Sequence, residues 1–209
     1  AVSTAVTARV QNNGQSCIAA KRFIVHTDIY DAFLDKFVGK MAELRVGDPT
    51  DPDTDVGPLA TEQGRADVEK LVDDAVAAGA VIRCGGKRLN GPGWFYPPTV
   101  ITDVSREMPI FGEEVFGPVA SVYRAGDIDE AIEIANATSF GLGSNAWTTD
   151  ESEQQRFIDD IDAGQVFING MTVSYPELPF GGVKRSGYGR ELSGHGIREF
   201  CNAKTVWVG

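Results

Sequence analysis

The stretch RFIVHTDIYDAFLDKFVGKMAEL, residues 22 to 44, changes its period after the fifth residue, and that change decides the fold class. RFIVH is β-branched and aromatic and reads as a strand. From Asp28 onward the apolar residues Ile29, Phe33, Phe37, Met41 and Leu44 recur at spacings of three and four, which predicts an amphipathic helix. A strand running directly into a helix is the unit of an α/β domain, and the alternation continues downstream. Thr61 caps a predicted helix that reaches Ala78 and closes at Gly79, and AVIRCGG at 80–86 reads as a strand ending in two glycines. PGWFYPPTVI at 92–101 supplies turns around a short extended piece, and VASVYRA at 119–125 reads as a buried strand. Asp127 caps a predicted helix to Ala137, while SNAWTTD at 144–150, QVFING at 165–170 and KTVWV at 204–208 are further strand candidates.

With 209 residues and 42% of them hydrophobic, the chain is long enough to bury a real core. A net charge of −11 and a pI near 4.6 argue against a nucleic-acid surface, so an anionic ligand needs a local cationic pocket. Cys17, Cys84 and Cys201 are too few and too scattered for a disulfide framework or a zinc site, which fits the reducing cytoplasm. Three spaced aspartates in GDPTDPDTDVGPL, residues 47 to 59, lack the glycine and terminal glutamate of an EF-hand, and no metal is expected. No segment approaches the length of a membrane span. The opening AVSTAVTARVQ has no initiator methionine and reads as a helix already under way, so the chain is expected to be a piece of a longer protein.

Upstream of the strand lies NNGQSC, residues 12 to 17, which presents Cys17 on a glycine-punctuated turn. A cysteine attacks a carbonyl only as a thiolate, so a nucleophile needs surroundings that favour the anion. Gln15 to Lys21 reads as a short helix with Cys17 in its first turns, where free N–H groups and the positive end of the dipole favour a negative sulfur. Lys21 and Arg22 add a more distant bias. The alternative, a small buried hydrophobe like most free cysteines, stays open at this point.

Three motifs taken in order, NNGQSC at 12–17, EEVFGPV at 113–119 and PFGGVKRSGYGRE at 179–191, resemble those of the aldehyde dehydrogenase family over essentially the whole chain. QNNGQSCIAAKRFIVH and INGMTVSYPELPFGGVKRSGYGRE are most similar to its NADP-linked succinate-semialdehyde dehydrogenases of actinobacterial type. The resemblance implies a catalytic domain over residues 1–198, an open, twisted, mostly parallel sheet flanked by helices, and an oligomerisation strand over 199–209. It implies a Rossmann-like cofactor domain upstream, outside this chain, and a homodimer or homotetramer for the full-length form.

By the same resemblance Cys17 is the nucleophile, forming first a thiohemiacetal and then a thioester that water hydrolyses. Its backbone N–H resembles half of the family's oxyanion hole. Asn12 and Asn13 are better read as turn formers. Glu114 is similar to the glutamate that holds the nicotinamide ribose, and Phe116 to the aromatic packed near the nicotinamide. Ser16, Ile18, Ser174 and Phe180 fall where family members line the aldehyde pocket, and the hydroxyl of Ser174 suits the distal carboxylate of an anionic aldehyde. Gln11 departs from the pattern, because succinate-semialdehyde members often carry an arginine there, and a neutral amide cannot replace a bidentate guanidinium. NADP is the expected cofactor, with NAD the alternative, and no metal.

The glycines and basic residues of 179–191 fit neither a P-loop nor a dinucleotide fingerprint, so that segment is expected to be structural. His26 and His195 are expected to be structural or solvated and not the general base, which the family places upstream. The isolated chain is therefore expected neither to bind NADP tightly nor to oxidise aldehydes. Two other readings stay open: a CoA-acylating relative that passes the thioester to CoA, and a non-catalytic assembly domain.

Overall fold

His26 both ends a strand and opens a helix: its Nδ1 accepts the Asp28 N–H at 3.3 Å, so strand and helix join without a loop. The computed structural model describes residues 1–209. In chain order the elements are α1 (Val2–Val10), a tight turn (Gln11–Gly14), β1 (Arg22–His26), α2 (Thr27–Ala42), α3 (Glu62–Ala77), β2 (Val81–Cys84), β3 (Thr99–Thr102), α4 (Pro109–Gly112), β4 (Val119–Ala125) and α5 (Ile128–Asn136). There follow β5 (Phe140–Gly141), β6 (Ser144–Ala146), α6 (Glu151–Asp160), β7 (Val166–Ile168), β8 (Val183–Lys184) and α7 (Ser193–Arg198).

The main sheet runs β1-β4-β3-β2, with β1 and β3 both parallel to β4 and only the edge strand β2 antiparallel. The fold is the expected α/β arrangement, a mostly parallel sheet with helices on both faces. Val100, Ala120 and Val122 point to one side, where Val6 of α1 and Tyr30, Leu34, Phe37 and Met41 of α2 cover them. Ile101, Val119 and Tyr123 point to the other, against Val68, Val72 and Ala75 of α3 and Ile134 of α5. Two covered faces explain why VASVYRA reads as an unbroken apolar run instead of an alternating one. Thr61 and Asp127 cap α3 and α5 as expected, accepting the N–H groups of Gly64 at 3.0 Å and Glu130 at 2.9 Å. SNAWTTD and QVFING hold β6 and β7, which pair with each other in parallel.

Three expectations change. The buried stripe of α2 is Tyr30, Leu34, Phe37 and Met41, so Ile29 faces solvent at 58% exposure. Tyr30 buries its ring beneath the Arg124 guanidinium, 3.9 Å from the centroid, which a polarity count of its hydroxyl misses. Helix α6, unanticipated, buries no residue; Asp150 caps it through the N–H groups of Ser152 and Glu153, and Arg156 pairs with Asp160 within it and ties it to Asp129 of α5. KTVWV, read as a strand, forms none within this single chain: it has no ladder partner here, and Val206, Trp207 and Val208 are exposed.

The phase of α2 sets a test. Phe37 is fully buried, stacked on Phe33 at a centroid distance of 5.4 Å and packed at a tilt against Phe23 at 4.8 Å. Phe37→Ala is expected to cost about 3–5 kcal/mol in urea unfolding. Ile29→Ala is expected to cost less than about 0.5 kcal/mol. Equal costs at the two positions would show the stripe to be the other one.

Candidate functional site

The chain leaves α1 through consecutive left-handed residues, Asn12 (φ 49°), Asn13 (φ 57°) and Gly14 (φ 76°). Asparagine tolerates that region because its short amide bonds nearby backbone. Asn12 Nδ2 donates to Gln15 O at 2.8 Å, while Asn13 accepts the Gly57 N–H at 2.9 Å and donates to Pro58 O at 3.2 Å. Gln15 Oε1 accepts the Ala60 N–H at 2.8 Å. The two asparagines are turn formers, and Asn13 with Gln15 pins the turn to the 57–60 loop.

The short helix expected from Gln15 to Lys21 is not there. Ser16 to Ala19 make one turn, closed by the Ala19 N–H on Ser16 O at 3.0 Å, and Ala20 N–H then pairs with Ala8 O at 2.9 Å. The carbonyls a helix would have used are taken by Lys21, whose Nζ donates to Ser16 O at 2.9 Å, Cys17 O at 3.1 Å and Ala19 O at 2.9 Å. So the positive charge beneath Cys17 comes from an ammonium and not from a helix end. Cys17 is exposed on this turn, and the N–H groups of Ser16, Cys17 and Ile18 meet no acceptor within the protein. Ser16 and Ile18 flank it half-buried. Gln11 donates to Ala8 O at 3.4 Å and Ile18 O at 3.2 Å, so its amide serves the turn. Arg22 lies elsewhere, holding the carbonyls of Ile134 and Ala135 at the end of α5.

EEVFGPV folds against this turn between α4 and β4. A Cβ placed on Gly14 would lie 2.2 Å from the Gly117 carbonyl oxygen and 2.8 Å from Arg9 Nη2, so backbone meets backbone. Arg9, fully buried, donates to Val119 O at 3.1 Å and Gly14 O at 2.8 Å. Burial pushes its guanidinium below the usual range, and the charge of Glu114 opposes that. Lys21 Nζ stands 3.0 Å from Glu114 Oε1, with the two side chains 17% and 36% exposed. Desolvation lowers the Lys21 ammonium first, Arg9 adds to the lowering, and Glu114 opposes it. Phe116 is exposed, its ring centroid 5.8 Å from Lys21 Nζ. Glu114 Oε2 receives no hydrogen bond from the protein, and Glu113 is exposed without a partner.

Cys17, Glu114 and Phe116 are thus gathered around Lys21. Arg9 was not anticipated and Lys21 was underrated, the only signal being two cations flanking the cysteine motif. Ser174 and Phe180 are not tied to this cluster. Ser174 is exposed, and Phe180 pairs its backbone with Glu191 in both directions at 2.8 Å. Every hydrogen bond and ion pair from residues 140–209 back to the earlier chain lands between Asp129 and Ser139, as with Arg156 on Asp129 and Lys184 on Asn136. In the 179–191 segment Lys184 binds the carbonyls of Asn136 and Thr138, and Arg190 those of Gly182 and Gly189, which leaves them structural. His26 is spent capping α2. The aspartates of the 48–55 loop bind the loop's own backbone and Arg45.

A model of the aldehyde dehydrogenase family matches residues 1–206. The chain is 84% identical over 208 residues to the NADP-dependent succinate-semialdehyde dehydrogenase 1 of Mycobacterium tuberculosis, covering 100% of this chain and 46% of that protein. It is 81% identical to the NADP-dependent succinate-semialdehyde dehydrogenase of Mycolicibacterium paratuberculosis, covering 100% of this chain and 44% of that protein. The crystal structure of succinic semialdehyde dehydrogenase from Streptococcus pyogenes, in complex with NADP+, superposes with a TM-score of 0.95 at 38% identity, over 99% of this chain and 46% of that one. The chain therefore spans less than half the length of these relatives.

The Gly14 contact yields a paired test. Gly14→Ala adds a methyl at positive φ against the Gly117 carbonyl and is expected to cost more than about 2 kcal/mol. Gly39 lies inside α2 with nothing within 4 Å of an added Cβ, so Gly39→Ala is expected to add about 0.5–1 kcal/mol of stability. Thermal unfolding of both variants checks the contrast, and a neutral Gly14→Ala would mean the two segments are not in backbone contact.

Proposed function

The chain belongs to the aldehyde dehydrogenase family, and from that premise we propose that it supplies the nucleophile-bearing half of an NADP-linked enzyme that oxidises succinate semialdehyde to succinate. The observation that carries the reading is one cluster, an exposed Cys17 with Glu114 and Phe116 gathered about Lys21. Residues 1–198 form the catalytic half in this proposal. Residues 199–209 are the segment that pairs between subunits of a cytoplasmic homodimer or homotetramer. The general base and most of the cofactor fold belong to the share of the relatives' length that this chain does not span.

In the proposed reaction the Cys17 sulfur adds to the aldehyde carbon, and the carbonyl oxygen becomes the alkoxide of a thiohemiacetal. The Cys17 N–H, which has no acceptor in the protein, is free to stabilise that oxygen. Glu114 and Phe116 fit the ribose and nicotinamide end of a dinucleotide: one carboxylate oxygen is unengaged and the ring beside it is exposed. NADP, when held there, supplies the two-electron acceptor that the oxidation requires. Cys17 then carries the acyl group as a thioester, and water releases the acid and restores the thiol. Ser16, Ile18, Ser174 and Phe180 line the aldehyde pocket, with the unpartnered Ser174 hydroxyl donating to the distal carboxylate.

In the full-length protein Cys17→Ala is expected to lower kcat/KM for succinate semialdehyde with NADP by at least about a thousandfold, with no requirement for CoA in the unmodified enzyme. The purified 209-residue chain is expected to form no NADPH on its own. Iodoacetamide is expected to label Cys17 before Cys201, and Cys84 last, because burial raises the Cys84 thiol. Undiminished turnover in Cys17→Ala would remove Cys17 from the chemistry.

A further inference from the structure

Lys21 is the side chain that joins the Cys17 turn to Glu114, and its donors are oversubscribed. An ammonium has three N–H groups, yet four acceptors surround this one: the carbonyls of Ser16, Cys17 and Ala19 at 2.9 to 3.1 Å, and Glu114 Oε1 at 3.0 Å. The three carbonyls satisfy the hydrogen bonds, so the link to Glu114 is mainly charge on charge. It draws in one oxygen and leaves Oε2 without a protein donor. Arg9 is the other cation that acts on Glu114, but both of its bonded nitrogens are committed to the carbonyls of Val119 and Gly14. Lys21 is therefore the group that orients the carboxylate.

We propose that Lys21 is a positioning residue for nucleotide binding, holding Glu114 by one oxygen so that the other is presented to the ribose hydroxyls, and tying that carboxylate to the turn that bears Cys17. The proposal rests on the reading of Glu114 given above. A glutamate left free would have to be ordered when the nucleotide arrives, and Lys21 removes that cost beforehand. Binding of hydroxyls to Glu114 leaves the three carbonyl bonds in place, so the turn keeps its shape through the change.

The test is made in the full-length protein by fluorescence titration with NADPH, together with kcat and KM for NADP. Lys21→Met is expected to weaken NADPH binding about tenfold and to raise KM for NADP more than it lowers kcat. Glu114→Gln is expected to weaken binding as well, and adding Lys21→Met to Glu114→Gln is expected to change it by less than about twofold, because both remove the same contact. Lys21→Arg is expected to recover most of the affinity. Should Lys21→Met not fold, Lys21→Gln carries the same comparison, keeping a donor for the turn carbonyls but no charge. Multiplying losses in the double variant, or a Lys21 variant that binds NADPH normally while Glu114→Gln does not, would overturn the proposal alone. Normal binding by Glu114→Gln would overturn the reading of Glu114 and this proposal with it.

Discussion

The backbone of Gly14 rests on the backbone of Gly117 with no room for a methyl group, and the rest of the site depends on that approach. It sets the cysteine turn against the segment that enters β4. From there Arg9 reaches Val119 O, and Lys21 reaches Glu114. A side chain at Gly14 would push apart two segments far separated in sequence, and one at Gly117 would run into Val68 of α3. The sheet helps to enforce the contact, because β1 and β4, into which the two segments lead, pair in parallel over five residues.

Three ionic side chains lie close together there, and their balance follows from the same contact. Burying a charge is costly unless it is paired and hydrogen-bonded. Arg9, wholly buried, meets this with two carbonyls of the touching segments and with the field of Glu114. Lys21 meets it with three carbonyls and the carboxylate itself. Neither cation is free to bind a ligand, so the anionic end of the aldehyde in the proposed reaction is left to other groups. Gln11 is likewise committed to the turn.

What the sequence makes legible is what local chemistry decides. The strand-to-helix change at His26, the caps Thr61 and Asp127 and the apolar run of β4 each state their structure within a few residues. The stripe of α2 was ambiguous because two phases share Phe37 and Met41, and only the sheet selects the one containing Tyr30 and Leu34. Helix α6 left no apolar period to find, since its stability comes from a cap and from Arg156. Gln15 to Lys21 has helical propensity, but the fate of its carbonyls depends on where Lys21 and Ala8 lie in the fold. Motif resemblance brought Cys17, Glu114 and Phe116 onto the same list. It carried no hint that an arginine, usually a surface residue, would be buried between them.

The proposed nucleophile and the proposed pocket wall rest on different footings. Cys17, Lys21 and Glu114 stand on segments that lead into β1 and β4 of the main sheet, whose two faces are both covered, and such a base holds a reacting group in one geometry. Ser174 and Phe180 stand on a segment whose polar ties to the earlier chain all pass through residues 129 to 139, and most of its side chains from Ser174 to Pro179 face solvent. Loops of this kind tolerate substitution without loss of the core. In the proposed enzyme the chemistry is therefore fixed by packing around Gly14 and Gly117, while the choice of aldehyde is written on a segment free to vary. A change at Ser174 can then redirect specificity without unfolding the site, whereas a change at Gly14 cannot alter the one without losing the other.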